Sequence, residues 1–385
     1  MHTPAVFIRQ IQHALAVLAL GASSLVCAAP SATDITVVQV APLSGVLAST
    51  GKQMVLGGKI YFDWVNAQGG INGAKIKHKV LDDGYKVDET VRLTREALQD
   101  PDVIALFGFA GTANVSKLLS DGVLAAGGAP LVAPYTGGEA LRSPFNPYIF
   151  HVRAGYTDEA EHMVNQAATL GMDRIAVMYQ DDAFGKAGLA GVEAALTKRN
   201  MKMLVAASYE RNTDSVQDAV QKIKFADPQA TIMISVNRST AAFAQQYRAA
   251  GGGGQLYNIS VVDPAELVKL AGAKAVHGLG ISQVVPFPFG ASKPVVREYQ
   301  ALMKKYGGGE AISYTSFEEF LGAKVLVEGL RRAGPEPTRA RLIMALETID
   351  NYDLGGTRVG YSPTNRIGSR FVEVTVIGAT GKLLR

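Results

Sequence analysis

Cysteine is almost missing from this chain of 385 residues: Cys27 is the only one. An internal disulfide is thereby excluded, and thiol chemistry has a single candidate in an apolar N-terminal stretch. Long hydrophobic runs are missing after that stretch, so nothing later reads as a membrane span, which needs about 18 apolar residues. Charge of one sign is also lacking. Lys and Arg number 38 against 34 Asp and Glu, and the net charge of +4 is scattered without a dense basic block. Nucleic-acid binding therefore has no support.

Catalytic signatures are equally scarce. Two of the six histidines, His2 and His13, fall in the N-terminal stretch, and Glu161-His162 lacks the second histidine of a zinc protease. No Gly-x-Ser-x-Gly elbow occurs. The stretch from Gly378 to Lys382 is too short for a phosphate loop, and no Ser or Thr follows the lysine. Gly185, Gly188 and Gly191 do not match the dinucleotide fingerprint and read as helix-packing positions. The adjacent pairs Asp82-Asp83 and Asp181-Asp182 read as capping or lobe-to-lobe groups, because neighbouring loop side chains point apart. The expectation is a binding protein without catalytic residues, metal or cofactor.

What is present is 48% hydrophobic residues and 41 glycines. Such a length exceeds one ordinary core, so two domains are expected. At the N-terminus, Arg9 precedes the apolar run Ala14 to Leu20, and small residues close the segment at Cys27, Ala28 and Ala29. This is the layout of an export signal, residues 1–29, cleaved after Ala28 or Ala29.

From there the pattern is strand, helix, strand. Strands are expected over Ile35–Ala41, Lys75–Leu81, Val103–Phe107, Pro130–Ala133 and Tyr148–Val152. Helices are expected from Thr50 and Gly51 to about Asn66, from a cap at Asp88, and from Thr112 to about Ala126. Gly69 and Gly70 stop the first helix, and Asn72-Gly73 is a tight-turn signal. The alternation restarts with a helix from Asp158, strands over Arg174–Tyr179, Lys202–Ser208 and Thr231–Ser235, and a short strand near Tyr257. The helices between them run from Lys186, from Val216, and after Asn237 and Arg238. Pro286 and Pro288 suit a crossing between lobes. Three further helices and a hairpin-like tail, with a strand over Phe371–Ile377, complete the chain. Alternation of this kind means α/β lobes with parallel sheets, and ligands lie at the carboxyl ends of such strands.

The stretch from Leu106 to Val115 stands out. An apolar strand runs into Gly108 and Gly111, and Thr112 and Asn114 are placed to cap a helix. A helix start offers free backbone N–H groups and positive potential, which suits an anion. The Thr112 hydroxyl adds a donor. Ser44, Asp83 and the loop from Tyr135 to Gly137 sit at the ends of neighbouring strands and converge on the same edge.

Seven short stretches in order carry a resemblance: Val40 to Gly45, Asn66 to Gly73, Asp82 to Tyr85, Gly108 to Asn114, Ala133 to Gly137, Tyr179 to Gly185 and Val285 to Pro288. Over the whole mature chain the sequence resembles the periplasmic solute-binding proteins of branched-chain amino-acid ABC importers. The resemblance implies the type I periplasmic binding fold, two Rossmann-like lobes with central parallel sheets joined by a three-segment hinge. Residues 30–152 with 283–370 would form one lobe and 153–282 with 371–385 the other. It implies a monomer that closes on a small-molecule ligand in the periplasm and docks on a permease of the inner membrane.

It also implies a site. Thr112, with Ala113, would hold a ligand carboxylate, and Tyr135, Thr136 and Gly137 would add backbone and hydroxyl contacts. Thr50 and Tyr85 belong to the same lobe's loops. On the other lobe, Phe184 takes the place of a tyrosine, Asn237 lies near another, and Val261 falls where an acid would pair with a ligand ammonium. Asp263 or Asp182 is the substitute. Two ligand classes stay open: an amino acid or derivative, and an aromatic or aliphatic acid without an amine. A sensory receptor domain of the same fold is the alternative to a transport role.

Overall fold

A computed structural model describes residues 34–385. The expected export signal, with Cys27, lies outside the described residues.

The first half of the fold runs β1 (Ile35–Ala41), α1 (Ala48–Ala67), β2 (Ile76–Asp82), α2 (Val87–Leu98), β3 (Val103–Phe107), α3 (Thr112–Ser120), α4 (Val123–Gly127), β4 (Leu131–Val132) and β5 (Ile149–Phe150). The second runs α5 (Tyr156–Thr169), β6 (Ile175–Gln180), α6 (Ala183–Lys198), β7 (Met203–Tyr209), α7 (Gln217–Ala226), β8 (Ala230–Ile234), α8 (Asn237–Ala249), β9 (Gln255–Asn258), α9 (Pro264–Ala271), α10 (Ala273–Val276) and β10 (Gly280–Gln283). Then come α11 (Pro294–Tyr306), α12 (Tyr314–Ala333), α13 (Arg339–Glu347), β11 (Tyr352–Asp353), β12 (Arg358–Val359), β13 (Glu373–Ile377) and β14 (Leu383–Leu384).

Two sheets result. One has five strands in the order β2-β1-β3-β4-β5, all parallel. The other has seven in the order β14-β13-β10-β9-β8-β6-β7, parallel except where β13 and β14 join antiparallel. Central strands such as β1 and β8 are buried almost throughout because helices cover both faces. The edge strand β2 instead alternates, with Lys77 exposed on the side that faces water.

The chain passes between the two layers three times: after β5, after β10 and before β13. Between the last two passages, α12 returns to pack on α1 of the first layer. His151 and Ile367 pair where the first and third passages run side by side.

Several local expectations are corrected. No side chain caps α3; its N-cap is Gly111 at φ 95°, a conformation that favours glycine. The expected single helix to Ala126 breaks at Gly122, which is left-handed. Lys86, not Asp88, sits at the N-cap of α2. Helices α9 and α10 were not expected at all. Their signal was present: Asp263 caps α9 by accepting from the Glu266 amide, and Pro264 occupies the first turn.

Gly57 lets α1 and α12 approach closely, since a Cβ there would lie 2.1 Å from the Ser316 carbonyl oxygen. Gly57→Ala is expected to cost about 1–3 kcal/mol by forcing the helices apart. Gly253→Ala, with open space around it, is expected to stay within about 0.5 kcal/mol of the parent. Urea denaturation of both variants checks this, and an unchanged midpoint for Gly57→Ala would contradict the packing described.

Candidate ligand-binding site

The carboxyl ends of both sheets face a common gap. There a small cavity of about 20 Å³ is lined by Leu47, Tyr85, Ala110, Gly111 and Tyr135 from the five-stranded side. Phe184, Val236 and Val261 from the seven-stranded side complete it, together with Tyr156 at the start of α5. Most strand-end loops thus contribute one or two residues, as open parallel sheets do at their ligand sites. The walls are aromatic and apolar. Tyr156 and Phe184 meet edge-on with ring centres 5.5 Å apart.

Beside this cavity is a polar corner. Thr112 begins α3, and the first bond within the helix is Val115 N–H to the Gly111 carbonyl, at 3.1 Å. The amides of Thr112, Ala113 and Asn114 therefore have no acceptor within their own helix. The Thr112 and Thr136 hydroxyls, both buried, share a hydrogen bond of 2.7 Å. Tyr156 donates its hydroxyl to Thr136 Oγ1 at 3.4 Å, and its amide to the Gly137 carbonyl at 2.8 Å. Thr112, Thr136, Gly137 and the cavity wall thus form one connected set. Asn114, expected as a cap, instead donates to Thr90 Oγ1 at 2.8 Å.

The remaining expected residues, Asp182 aside, fall in two places. Tyr85, Tyr135, Phe184 and Val261 line the cavity. Thr50, Asn237 and Asp263 line a neighbouring groove of about 570 Å³ that also touches α1, α9 and the start of α12. Asn237 bridges the halves by donating to Thr50 Oγ1 at 3.2 Å and accepting from the Asp263 amide at 2.7 Å. Tyr135 shares a 3.1 Å hydrogen bond with Thr315, whose residue also lines the groove. Cavity and groove are therefore neighbours across these two contacts.

The acids are occupied structurally. Asp82 Oδ1 accepts from the amides of Leu43 and Gly84, both at 2.8 Å, tying two loops together. Asp83 accepts from the Tyr85 amide at 2.9 Å and from Thr90 Oγ1 at 2.5 Å, which sets the Tyr85 backbone at φ 61°. Asp182 caps α6 through the Phe184 and Gly185 amides and pairs with Arg211 at 3.0 Å. Burial pushes the Asp263 carboxyl above its ordinary range. Among the described residues no cluster of three or more His, Cys, Asp or Glu could hold a metal ion.

Sequence reasoning missed the charges that support the site. Arg153, buried at 1% exposure, donates to Glu159 at 2.8 Å on α5, to Glu318 at 3.3 Å on α12, and to the Ser260 hydroxyl. Its guanidinium lies 5.3 Å from the centre of the Tyr135 ring and 5.7 Å from that of Tyr156. Burial disfavours that charge, but Glu318 and Glu159 more than offset this and hold its pKa above the ordinary value. Glu159 is also satisfied by the Ser260 amide at 2.8 Å and Ser282 Oγ at 2.6 Å. Glu318 has the longer of the two contacts to Arg153, and burial pushes its carboxyl up to about 7.

A sequence profile of a family described as periplasmic binding protein matches residues 34–382. The Leu/Ile/Val-binding protein homolog 7 of Brucella abortus is 28% identical, covering 90% of this chain and 88% of its own. A substrate-binding periplasmic protein from Ralstonia solanacearum is 40% identical, with a TM-score of 0.87, covering 91% of this chain and 99% of its own. An extracellular ligand-binding receptor from Verminephrobacter eiseniae is 29% identical at a TM-score of 0.85, covering 91% of this chain and all 100% of its own.

Glu318 makes stability depend on pH. It titrates near 7 folded against an ordinary 4.5, so the folded chain holds the extra proton between these values. Stability is then fully favoured below about 4.5 and falls as pH rises to 7. Glu318→Gln is expected to lessen that fall between about pH 5 and pH 7.5, read as the change in urea midpoint. His78, also shifted by burial, acts alike in both proteins and cancels, whereas Glu319, raised by burial and next by the Glu318 charge, is raised less in the variant, which lessens the fall further. An unaltered slope in the variant would contradict the assignment.

Proposed function

This chain belongs to the periplasmic binding protein family, and we propose that it is the extracytoplasmic ligand-binding component of an ABC importer for a small carboxylate with an apolar or aromatic body. The observation that carries this reading is the Thr112–Thr136 hydroxyl pair at the start of α3, set against the aromatic-walled cavity. A carboxylate there meets hydroxyl donors and helix-start amides, and the positive end of the helix dipole favours its charge. The body of the ligand packs among Tyr85, Tyr135, Tyr156 and Phe184, whose rings part to enlarge the present cavity of about 20 Å³, which has room for about one water. Opening of the halves admits it, and closure removes it from water.

The missing amine is argued from the same walls. None of the residues lining the cavity is an acid, and a buried ammonium without a partner is costly. Asp182 is already committed to α6 and Arg211. An amino acid is the second reading. It is favoured by Asp263, which stands beside Asn237 and Thr50 in the adjoining groove, and by the Leu/Ile/Val-binding relative.

In this reading residues 1–29 direct export and are removed. Residues 30–152 with 283–370 make one lobe, and 153–282 with 371–385 the other. The protein works in the periplasm as a monomer and delivers its ligand to a permease in the inner membrane.

A thermal-shift comparison separates the two ligand readings, because a ligand that binds the folded state raises Tm. The matched pair is 3-phenylpropanoate and L-phenylalanine, which differ only by the amine, run beside L-leucine, benzoate and short fatty acids. The acid without the amine is expected to give the larger shift; the reverse order favours the amino acid. Thr112→Val is then expected to weaken the best carboxylate by roughly 1–3 kcal/mol in calorimetry, the size of a lost hydrogen bond to a charged group. Equal affinities would contradict the corner's role.

A further inference from the structure

We propose that Arg211 is a clasp that holds the two halves shut across the cavity, so that the protein populates its closed form even before a ligand arrives. Arg211 lies on the loop after β7. Its guanidinium pairs with Asp182 of its own half at 3.0 Å. It then crosses the gap, donating to the Tyr85 carbonyl at 2.8 Å and to Asn114 Oδ1 at 2.7 Å. It also covers the Tyr85 ring, 4.0 Å from its centre.

The topology gives this contact leverage. The passages between layers leave from β5 at one edge of the five-stranded sheet, and from β10 and β13 on the corresponding side of the seven-stranded sheet. Tyr85 follows β2 and Arg211 follows β7, the opposite edge strand in each case. Rotation about the passages moves those far edges the most. A bond between them is therefore broken early in opening and opposes it with the longest arm.

Both ends of the clasp are built to receive it. Asp182 Oδ1 caps α6 through the Phe184 and Gly185 amides, while Oδ2 takes Arg211 and Gln180. Asn114 is oriented by donating to Thr90, which in turn donates to Asp83. The side chain of Arg211 is only 16% exposed and that of Asp182 10%, so solvent screens the pair less than a surface bridge. Three acceptors and a ring face match a planar guanidinium and not an ammonium. Because the clasp joins the start of α6, which presents Phe184, to the turn that presents Tyr85, it also sets two walls of the cavity. It acts as a positioning residue. This inference rests on the two-half reading above but not on the identity of the ligand.

Spin labels test it without any ligand. Residues 34–385 contain no cysteine, so Gln99→Cys on the first half and Lys222→Cys on the second give a clean pair of exposed sites. Pulsed electron-electron resonance of the ligand-free protein reads the distance between them. The parent is expected to show a short-distance population matching the closed arrangement. Arg211→Ala is expected to lose several-fold of that population to longer distances, and Arg211→Lys to fall between. Arg211→Gln carries the same test should the alanine variant not fold. A parent without the short population, or one that Arg211→Ala or Arg211→Gln leaves unchanged, overturns the proposal. Failure of every acid in the thermal-shift comparison would leave this result untouched, so the two readings fail separately.

Discussion

A buried guanidinium with two carboxylate partners is the constraint on which this architecture turns. Arg153 follows the first passage between the layers and is held by Glu159 and Ser260 from one half and Glu318 from the other. Stripping water from a charge is expensive, and removing one partner from a buried pair costs about 3–5 kcal/mol. The knot therefore ties the two halves together beside the passages. The same guanidinium lies against Tyr135 and Tyr156, so the knot and the cavity wall are one assembly.

From that knot outward the site follows from the sheets. Parallel strands deliver their loops to one edge, and each half contributes its set to the shared gap. The five-stranded side brings a glycine corner, a helix start and two hydroxyls. The seven-stranded side brings Phe184, Val236 and Val261. One side is thus polar at a point, and the other presents apolar side chains to the cavity itself. This division suits a ligand with a charged end and a greasy body. Asn237 with Thr50, and Arg211 with Tyr85 and Asn114, join the two sides around it.

Much of this was legible in the sequence, for physical reasons. β3 occupies Val103–Phe107 as its apolar run demands, and Gly188 of α6 packs against β8, where a Cβ would lie 2.5 Å from Ile234. Of the two readings of Asp182, the cap is met at the start of α6, and its partner Arg211 lies in the same half. The cap at Thr112 failed because glycine already supplies the turn, leaving the hydroxyl free for Thr136. Helix α9 is short and carries its signature in three residues, the Asp263 cap, Pro264 in the first turn and Glu266, which reading Asp263 as a ligand group overlooks. Arg153 and Arg211 were invisible for another reason. Their partners lie 165 and 126 residues away, at Glu318 and Tyr85, and only the packing of the two sheets side by side brings them together.

The central claim is that a carboxylate is gripped where the β3 turn becomes α3. The most direct measurement is a crystal structure of the protein with the acid that raises its Tm most. The account predicts carboxylate oxygens within hydrogen-bond distance of Thr112 Oγ1 and the first amides of α3, with the ligand body between Tyr135, Tyr156 and Phe184. A ligand whose carboxylate lies away from α3, for instance out in the groove beside Lys52 and Asp263, would contradict it.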